Sequence, residues 1–158
     1  MTVKWGSIHS HVIPLLSGVR QGGILSPLLF SLFVDSVLTQ LEQSSLGCFV
    51  NTVCYNSFMY ADDLILISIT VTDLQHLLSL CSIAFSNLDL PININKCQSL
   101  RIGPRSNTPC SSLSIDGQSI SWVPEIKFLG ICIRHGKSFK CDWSETKKKF
   151  YCNVITQF

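Results

Sequence analysis

The sequence predicts an α+β fold, one antiparallel sheet with a β-hairpin packed on two helices and a further helix opening near the C-terminus. Three stretches predict it. Phe58–Ile67 sets Asp62 and Asp63 between two apolar runs of aromatic and β-branched residues, the pattern of two strands joined by a tight turn. The segments Leu28–Gln43 and Leu74–Leu88 carry apolar residues at helical spacing. Leu113–Trp122 surrounds Asp116-Gly117, a strong hairpin signal.

The length of 158 residues fits one domain able to bury a core. Charged residues make up only 14% and hydrophobic residues 46%. Ordinary domains carry about 25% charged residues, so the deficit predicts a surface that expects a partner. Residues 1–100 hold three basic and six acidic residues, whereas 101–158 hold nine basic and four acidic ones. A basic C-terminal third beside an acidic centre suits a polyanion held near a cation, though a solvated basic tail reads the same way. Eight cysteines lack any C-x-x-C pair, which argues against a zinc finger and for free thiols. Met1–Trp5 has no signal-peptide core, and Ile24–Val34 is too short to span a bilayer. The expected location is therefore intracellular, cytoplasmic or nuclear.

In chain order, Val3–Trp5 and Val12–Leu16 are expected to pair as strands around a polar loop. His9 and His11 in that loop lack neighbouring Cys or carboxylate ligands and read as loop residues. Gly22-Gly23 permits unusual backbone and close approach of another molecule. Ser26 is expected to cap the next helix with Pro27 in its first position. That helix, Leu28 to about Gln43, is apolar on nearly every face and is expected to be buried all round. Its N-terminus, after Arg20 and Gln21, favours phosphate. Gly47–Asn51 reads as a short strand and turn leading into the Phe58–Ile67 hairpin. Thr72 and Gln75 read as a capping box for the second helix, which should end before Pro91. Residues 101–112 read as a loop, and Ile126–Ile133 as one strand. Asp142–Tyr151 reads as a basic amphipathic helix. Its run Lys147-Lys148-Lys149 suits a nucleic-acid backbone, or else a solvated face.

Two adjacent carboxylates on a hairpin tip repel each other unless a divalent cation neutralises them, and hard oxygen ligands suit Mg²⁺. Taken alone, such a pair also serves simply to break two strands. Here Tyr60-Ala61-Asp62-Asp63 followed by Leu64–Ile67 resembles the catalytic hairpin of reverse transcriptases. Gly18-Val19-Arg20-Gln21-Gly22-Gly23-Ile24-Leu25-Ser26-Pro27-Leu28-Leu29-Phe30 resembles the template- and nucleotide-contacting motif of non-LTR (LINE-type) retrotransposon reverse transcriptases, in the order that family shows. Val34–Leu38 resembles the continuation of that family's helix. Asn95-Lys96 before a strand and Phe128-Leu129-Gly130-Ile131 are similar to two later segments of the family.

The resemblance implies an incomplete polymerase palm over 1–140 and the start of a helical thumb over 141–158. It implies two-metal nucleotidyl transfer with Mg²⁺, and RNA template, DNA primer and deoxynucleoside triphosphates as partners. Asp62 would ligate metal directly and Asp63 assist. Tyr60 would lie beneath the primer end. Arg20, Gln21, Gly22, Gly23, Ser26 and Pro27 would face template or nucleotide. Lys96 would protonate the leaving pyrophosphate, and Phe128, Leu129 and Gly130 would form the primer grip. The family's further catalytic Asp precedes the Gly18 motif, yet residues 1–17 contain no Asp or Glu. A fragment of a polymerase, with weak metal binding, an unpaired sheet edge and no efficient synthesis on its own, is the expected state. A non-catalytic nucleic-acid-binding remnant and a group II intron-type reverse transcriptase fragment are the alternatives.

Overall fold

The structure, a computed structural model, describes residues 2–14 and 22–155, with the last three as backbone only. Strands β1 (Lys4–Trp5) and β2 (Ile8–His9) pair antiparallel around Gly6, whose φ of 61° turns the chain back at once. The partner strand expected at Val12–Leu16 is therefore displaced to Ile8–His9. Val12–Pro14 is not strand, and Leu15 and Leu16 lie outside the described residues.

Helix α1 spans Ser26–Gln43. Its start differs from the expected cap: Leu25 is the flanking residue, with helical backbone, and no side-chain hydrogen bond caps the end. Ser26 thus lies inside the helix, and the amide of Leu29 bonds the Leu25 carbonyl. The expected all-round burial is also corrected. Val34, Val37 and Leu41, spaced three and four apart, are buried, while Leu28, Leu29, Leu32 and Phe33 are exposed. Among the described residues α1 is packed chiefly by the second helix and one hairpin, which cover one stripe of it.

Strands β3 (Cys48–Val50) and β4 (Val53–Tyr55) form a hairpin, followed by β5 (Ser57–Tyr60) and β6 (Asp63–Leu66), which form another. Helix α2 spans Val71–Asn87 and ends ahead of Pro91 as predicted. Its cap is Thr70, whose hydroxyl accepts from the Asp73 amide at 3.0 Å, and not Thr72. Gln75 is thereby freed for a long-range role. Its amide donates to the Ser114 carbonyl and accepts from the Ser114 amide, both at 2.9 Å.

Leu77, Cys81, Ala84 and Phe85 of α2 close on Val34, Val37 and Leu41 as the first core, with Met59, Leu64 and Leu66 of the hairpin against it. Burial pushes the Cys81 thiol up to about 12, so it behaves as a small hydrophobe. No disulfide links any of the eight cysteines. Another flank of α2 (Val71, Leu74, Leu78) packs on a second core of Leu113, Ile115 and Ile120. One helix thus serves two cores.

The second core belongs to a mixed sheet. After a 3₁₀ turn at Ile94–Lys96, β7 (Gln98–Ser99) runs parallel to β9 (Gln118–Trp122), which pairs antiparallel with β8 (Leu113–Ile115). Asp116 (φ 49°) and Gly117 (φ 80°) make the predicted turn. The single strand expected at Ile126–Ile133 is instead a hairpin, β10 (Glu125–Phe128) and β11 (Ile131–Arg134). Leu129 (φ 47°) and Gly130 (φ 80°) are its turn. Strand β12 (Lys140–Asp142) completes that sheet, and α3 runs over Ser144–Ile155. The one antiparallel sheet of the expectation is thus five small sheets among the described residues. The α+β class and the hairpin packed on two helices stand. No helix among the described residues is long and apolar enough to cross a membrane.

Candidate functional site

The β5–β6 hairpin pairs Tyr60 with Asp63 and leaves Ala61-Asp62 as its turn. Alternation sends Met59, Leu64 and Leu66 into the first core and turns Phe58, Tyr60, Asp63 and Ile65 to the opposite face. Tyr60 is 64% exposed, and both carboxylates are exposed. Neither Asp62 nor Asp63 bonds to another described side chain, so their mutual repulsion has no compensating cation there. Ala61 holds φ at 52°, left-handed backbone that costs an L-residue about 1–2 kcal/mol. Strain of this kind persists where the surroundings over-determine it.

Those surroundings are visible at the base of the hairpin. Asn56 is buried, its Nδ2 donates to the Leu41 carbonyl of α1 at 2.5 Å, and its own carbonyl accepts from the Ile67 amide at 2.8 Å. Gly47 lies against it, where a Cβ would fall 2.7 Å from Asn56 Cβ. The hairpin is thus fastened to the C-terminal end of α1. Among the described residues its strands pair only with each other.

Near its tip the hairpin meets the N-terminal half of α1. Phe30, Ser31, Val34, Asp35 and Leu38 face Met59 and Ala61 across a cleft of about 240 Å³. Ser26 and Pro27 stand about 6 Å and about 4.5 Å further along the helix axis from Phe30. Gly22 adopts φ 77°, the permissive backbone foreseen for this loop. Arg20 and Gln21 lie outside the described residues.

The remaining predicted site residues stand on other elements. Lys96 is exposed and ends the 3₁₀ turn, its amide bonded back to Asn93; none of its hydrogen bonds or ion pairs reaches the hairpin. Phe128, Leu129 and Gly130 surround the β10–β11 turn. Lys147, Lys148 and Lys149 are exposed on α3. That helix is docked by its first turn: Lys127 Nζ meets Glu145 at 2.5 Å, and the Thr146 hydroxyl donates to the Gly130 carbonyl at 2.6 Å.

Residues 3–133 match the family of reverse transcriptases (RNA-dependent DNA polymerases). The chain belongs to the reverse transcriptase family. It is similar to the Retrovirus-related Pol polyprotein from type-2 retrotransposable element R2DM of Drosophila melanogaster, 32% identical over 136 residues, covering 81% of this chain and 13% of that protein. The polyprotein from type-1 retrotransposable element R2 of Popillia japonica is 30% identical over 137 residues, 80% of this chain and 22% of the relative. The RNA-directed DNA polymerase from mobile element jockey of Drosophila melanogaster is 24% identical over 151 residues, 92% and 16%. This reverse transcriptase chain is therefore of the non-LTR retrotransposon kind, and it spans 13–22% of the length of these relatives.

For the reverse transcriptase hairpin, sequence reading missed two supports. Asp35 was read only as helix continuation, yet it lines the cleft beside Ala61. Asn56 gave no motif signal; its role depends on Leu41, fifteen positions away.

The docking of α3 carries a pH signature. A hydrogen bond and the charge of Lys127 hold the Glu145 carboxyl below its ordinary value, helped by Lys149 and opposed by Asp142. Hydrogen bonds from the Ser144 hydroxyl and amide lower Asp142, with Arg134 adding to the effect. A carboxyl lowered in the folded state contributes above its ordinary value and loses that contribution as pH falls through the lowered one. The seat of α3 is therefore expected to hold at neutral pH and to loosen below the ordinary values of 4.5 and 3.8. Amide exchange of residues 144–150 across an acid pH series checks it, with added salt weakening the seat because these groups are exposed.

Proposed function

We propose that this chain forms the later part of a reverse transcriptase palm, residues 1–140, with a thumb beginning over 141–158. Asp62 and Asp63 would hold Mg²⁺ for reaction with an incoming deoxynucleoside triphosphate. RNA template and DNA primer lie across the exposed hairpin face above Tyr60. The supporting observation is the solvent-facing pair of unbonded carboxylates on a strained turn that borders the α1 cleft. As a donor set, two carboxylate side chains suit Mg²⁺, which keeps several waters and takes one or two carboxylates plus substrate phosphates. When bound, the cation neutralises phosphate charge and activates the primer hydroxyl.

The chain's own residues position the substrates. Arg20, Gln21, Gly22 and Gly23 face nucleotide or template ahead of the α1 start at Ser26 and Pro27. Phe128, Leu129 and Gly130 support the primer end, and Lys147, Lys148 and Lys149 meet backbone phosphates. Lys96 delivers a proton to the leaving pyrophosphate. Because no third carboxylate or imidazole gathers with Asp62 and Asp63 among the described residues, cation binding by this chain is weak and primer extension by it is inefficient.

Titration with Mn²⁺ as a paramagnetic substitute tests the site. Amides of residues 60–64 should broaden first, and Asp62→Asn with Asp63→Asn should abolish that broadening without loss of fold. Broadening that survives the double variant, or begins elsewhere, would refute the assignment.

A further inference from the structure

Two hairpin tips in this chain place a residue unsuited to left-handed backbone at φ near 50°: Ala61 and Leu129. The β8–β9 hairpin needs no such strain, since Asp116-Gly117 takes the same conformation with residues that favour it. At the β10–β11 tip the strain is compounded, because the Leu129 side chain is 50% exposed and gains little from burial. Turn propensity and packing both disfavour leucine there, so the conformation must be held from outside the turn.

The holder is the first turn of α3. Thr146 Oγ1 donates to the Gly130 carbonyl at 2.6 Å, and a Cβ on Gly130 would stand 3.3 Å from that oxygen. Glu145 takes Lys127, on the strand entering the turn, at 2.5 Å. The start of α3 is itself pinned to the sheet. Asp142 Oδ1 accepts from the Ser144 amide at 2.9 Å, its Oδ2 meets Arg134 at 3.2 Å, and Arg134 reaches Glu125 at 3.5 Å. Lys127, Gly130 and Asp142 thus meet at one helix start, with Arg134 bracing Asp142 from the sheet. Lys147, Lys148 and Lys149 come next within that helix.

We propose that Thr146 and Glu145 are positioning residues that hold the strained Leu129-Gly130 turn in the shape that receives a primer terminus, so that seating the basic helix and forming the grip are one event. This rests on the reading of that turn as the primer grip. It follows that the lysines and the grip engage a duplex together: a helix that lifts off releases the turn, and a turn filled by a primer end keeps the helix seated.

The test uses the whole chain and two RNA–DNA duplexes, one with a recessed primer end and one blunt. Thr146→Val keeps the shape and removes the donor, and Thr146→Ser restores it. With Thr146→Val, amide exchange at residues 129–131 should rise several-fold. Affinity for the recessed duplex should fall on the order of fivefold, within the worth of one hydrogen bond. Affinity for the blunt duplex should fall less, because only the seating of the lysines is lost there. Thr146→Ser should restore both readouts, which a general loss of fold would not allow. Exchanging Lys127→Glu with Glu145→Lys should recover what either change alone loses. Unchanged exchange in Thr146→Val would show that no such latch operates. If Leu129→Ala weakens recessed-end binding while Thr146→Val does not, the latch falls and the grip reading survives. If Leu129→Ala has no effect on either duplex, the grip reading itself fails and the proposal with it.

Discussion

Gly47→Ala is expected to lower the free energy of unfolding by about 3 kcal/mol, combining left-handed strain with overpacking against fixed backbone. Gly47 holds φ at 142°, and an added Cβ would meet Asn56 Cβ at 2.7 Å and the Tyr55 carbonyl at 2.8 Å. The neighbouring atoms cannot yield cheaply. Asn56 is buried and committed to Leu41, Ser57 and Ile67, and Tyr55 is paired with Cys48. The substitution therefore wedges the β5–β6 hairpin away from the end of α1. Chemical denaturation should show the loss, and amide exchange should locate it at residues 41–47 and 55–57. A loss below about 1 kcal/mol would mean that this joint gives more freely than its geometry implies.

Leu77→Ala should cost as much or more, about 3–4 kcal/mol by the behaviour of fully buried leucines. Leu77 is 0% exposed and sits where α2 closes on α1. Its weight comes from how little core there is. Ten apolar residues are buried among the described positions, while leucines and phenylalanine along α1 and most aromatics of β3–β6 remain exposed. Native stabilities of about 5–15 kcal/mol leave little reserve for such a loss. Thermal unfolding monitored by circular dichroism is expected to lose its sharp transition in Leu77→Ala, whereas an exposed site such as Leu32→Ala should leave it in place.

Local chemistry was readable in the chain. The aromatic and β-branched runs around Asp62-Asp63 gave the β5–β6 hairpin, Asp116-Gly117 gave the β8–β9 turn, and Leu74 to Leu88 gave α2, though not its second packed flank. The misreadings share a physical cause, which is that distant contacts chose between local options. Thr70 and Thr72 are equally good caps on paper, and Gln75 settled elsewhere because Ser114, thirty-nine positions on, offers two hydrogen bonds. Phe128–Ile131 looked continuous because leucine is a poor turn residue; Thr146, sixteen positions beyond Gly130, helps fix the bend. The apolar circumference of α1 suggested full burial, but sequence alone does not say how many neighbours a helix acquires. For the site, Asp62, Asp63 and Tyr60 were legible because one short turn carries them, whereas Asp35 and Asn56 matter only through what they face.

Because α2 lends one flank to each core, the two cores have no seam between them along which they can come apart. Heat or acid that detaches the Leu113–Ile120 side strips a wall from the Val34–Leu41 side as well. The acidic tip and the sheet that carries the Asp116-Gly117 turn thus share a single melting fate.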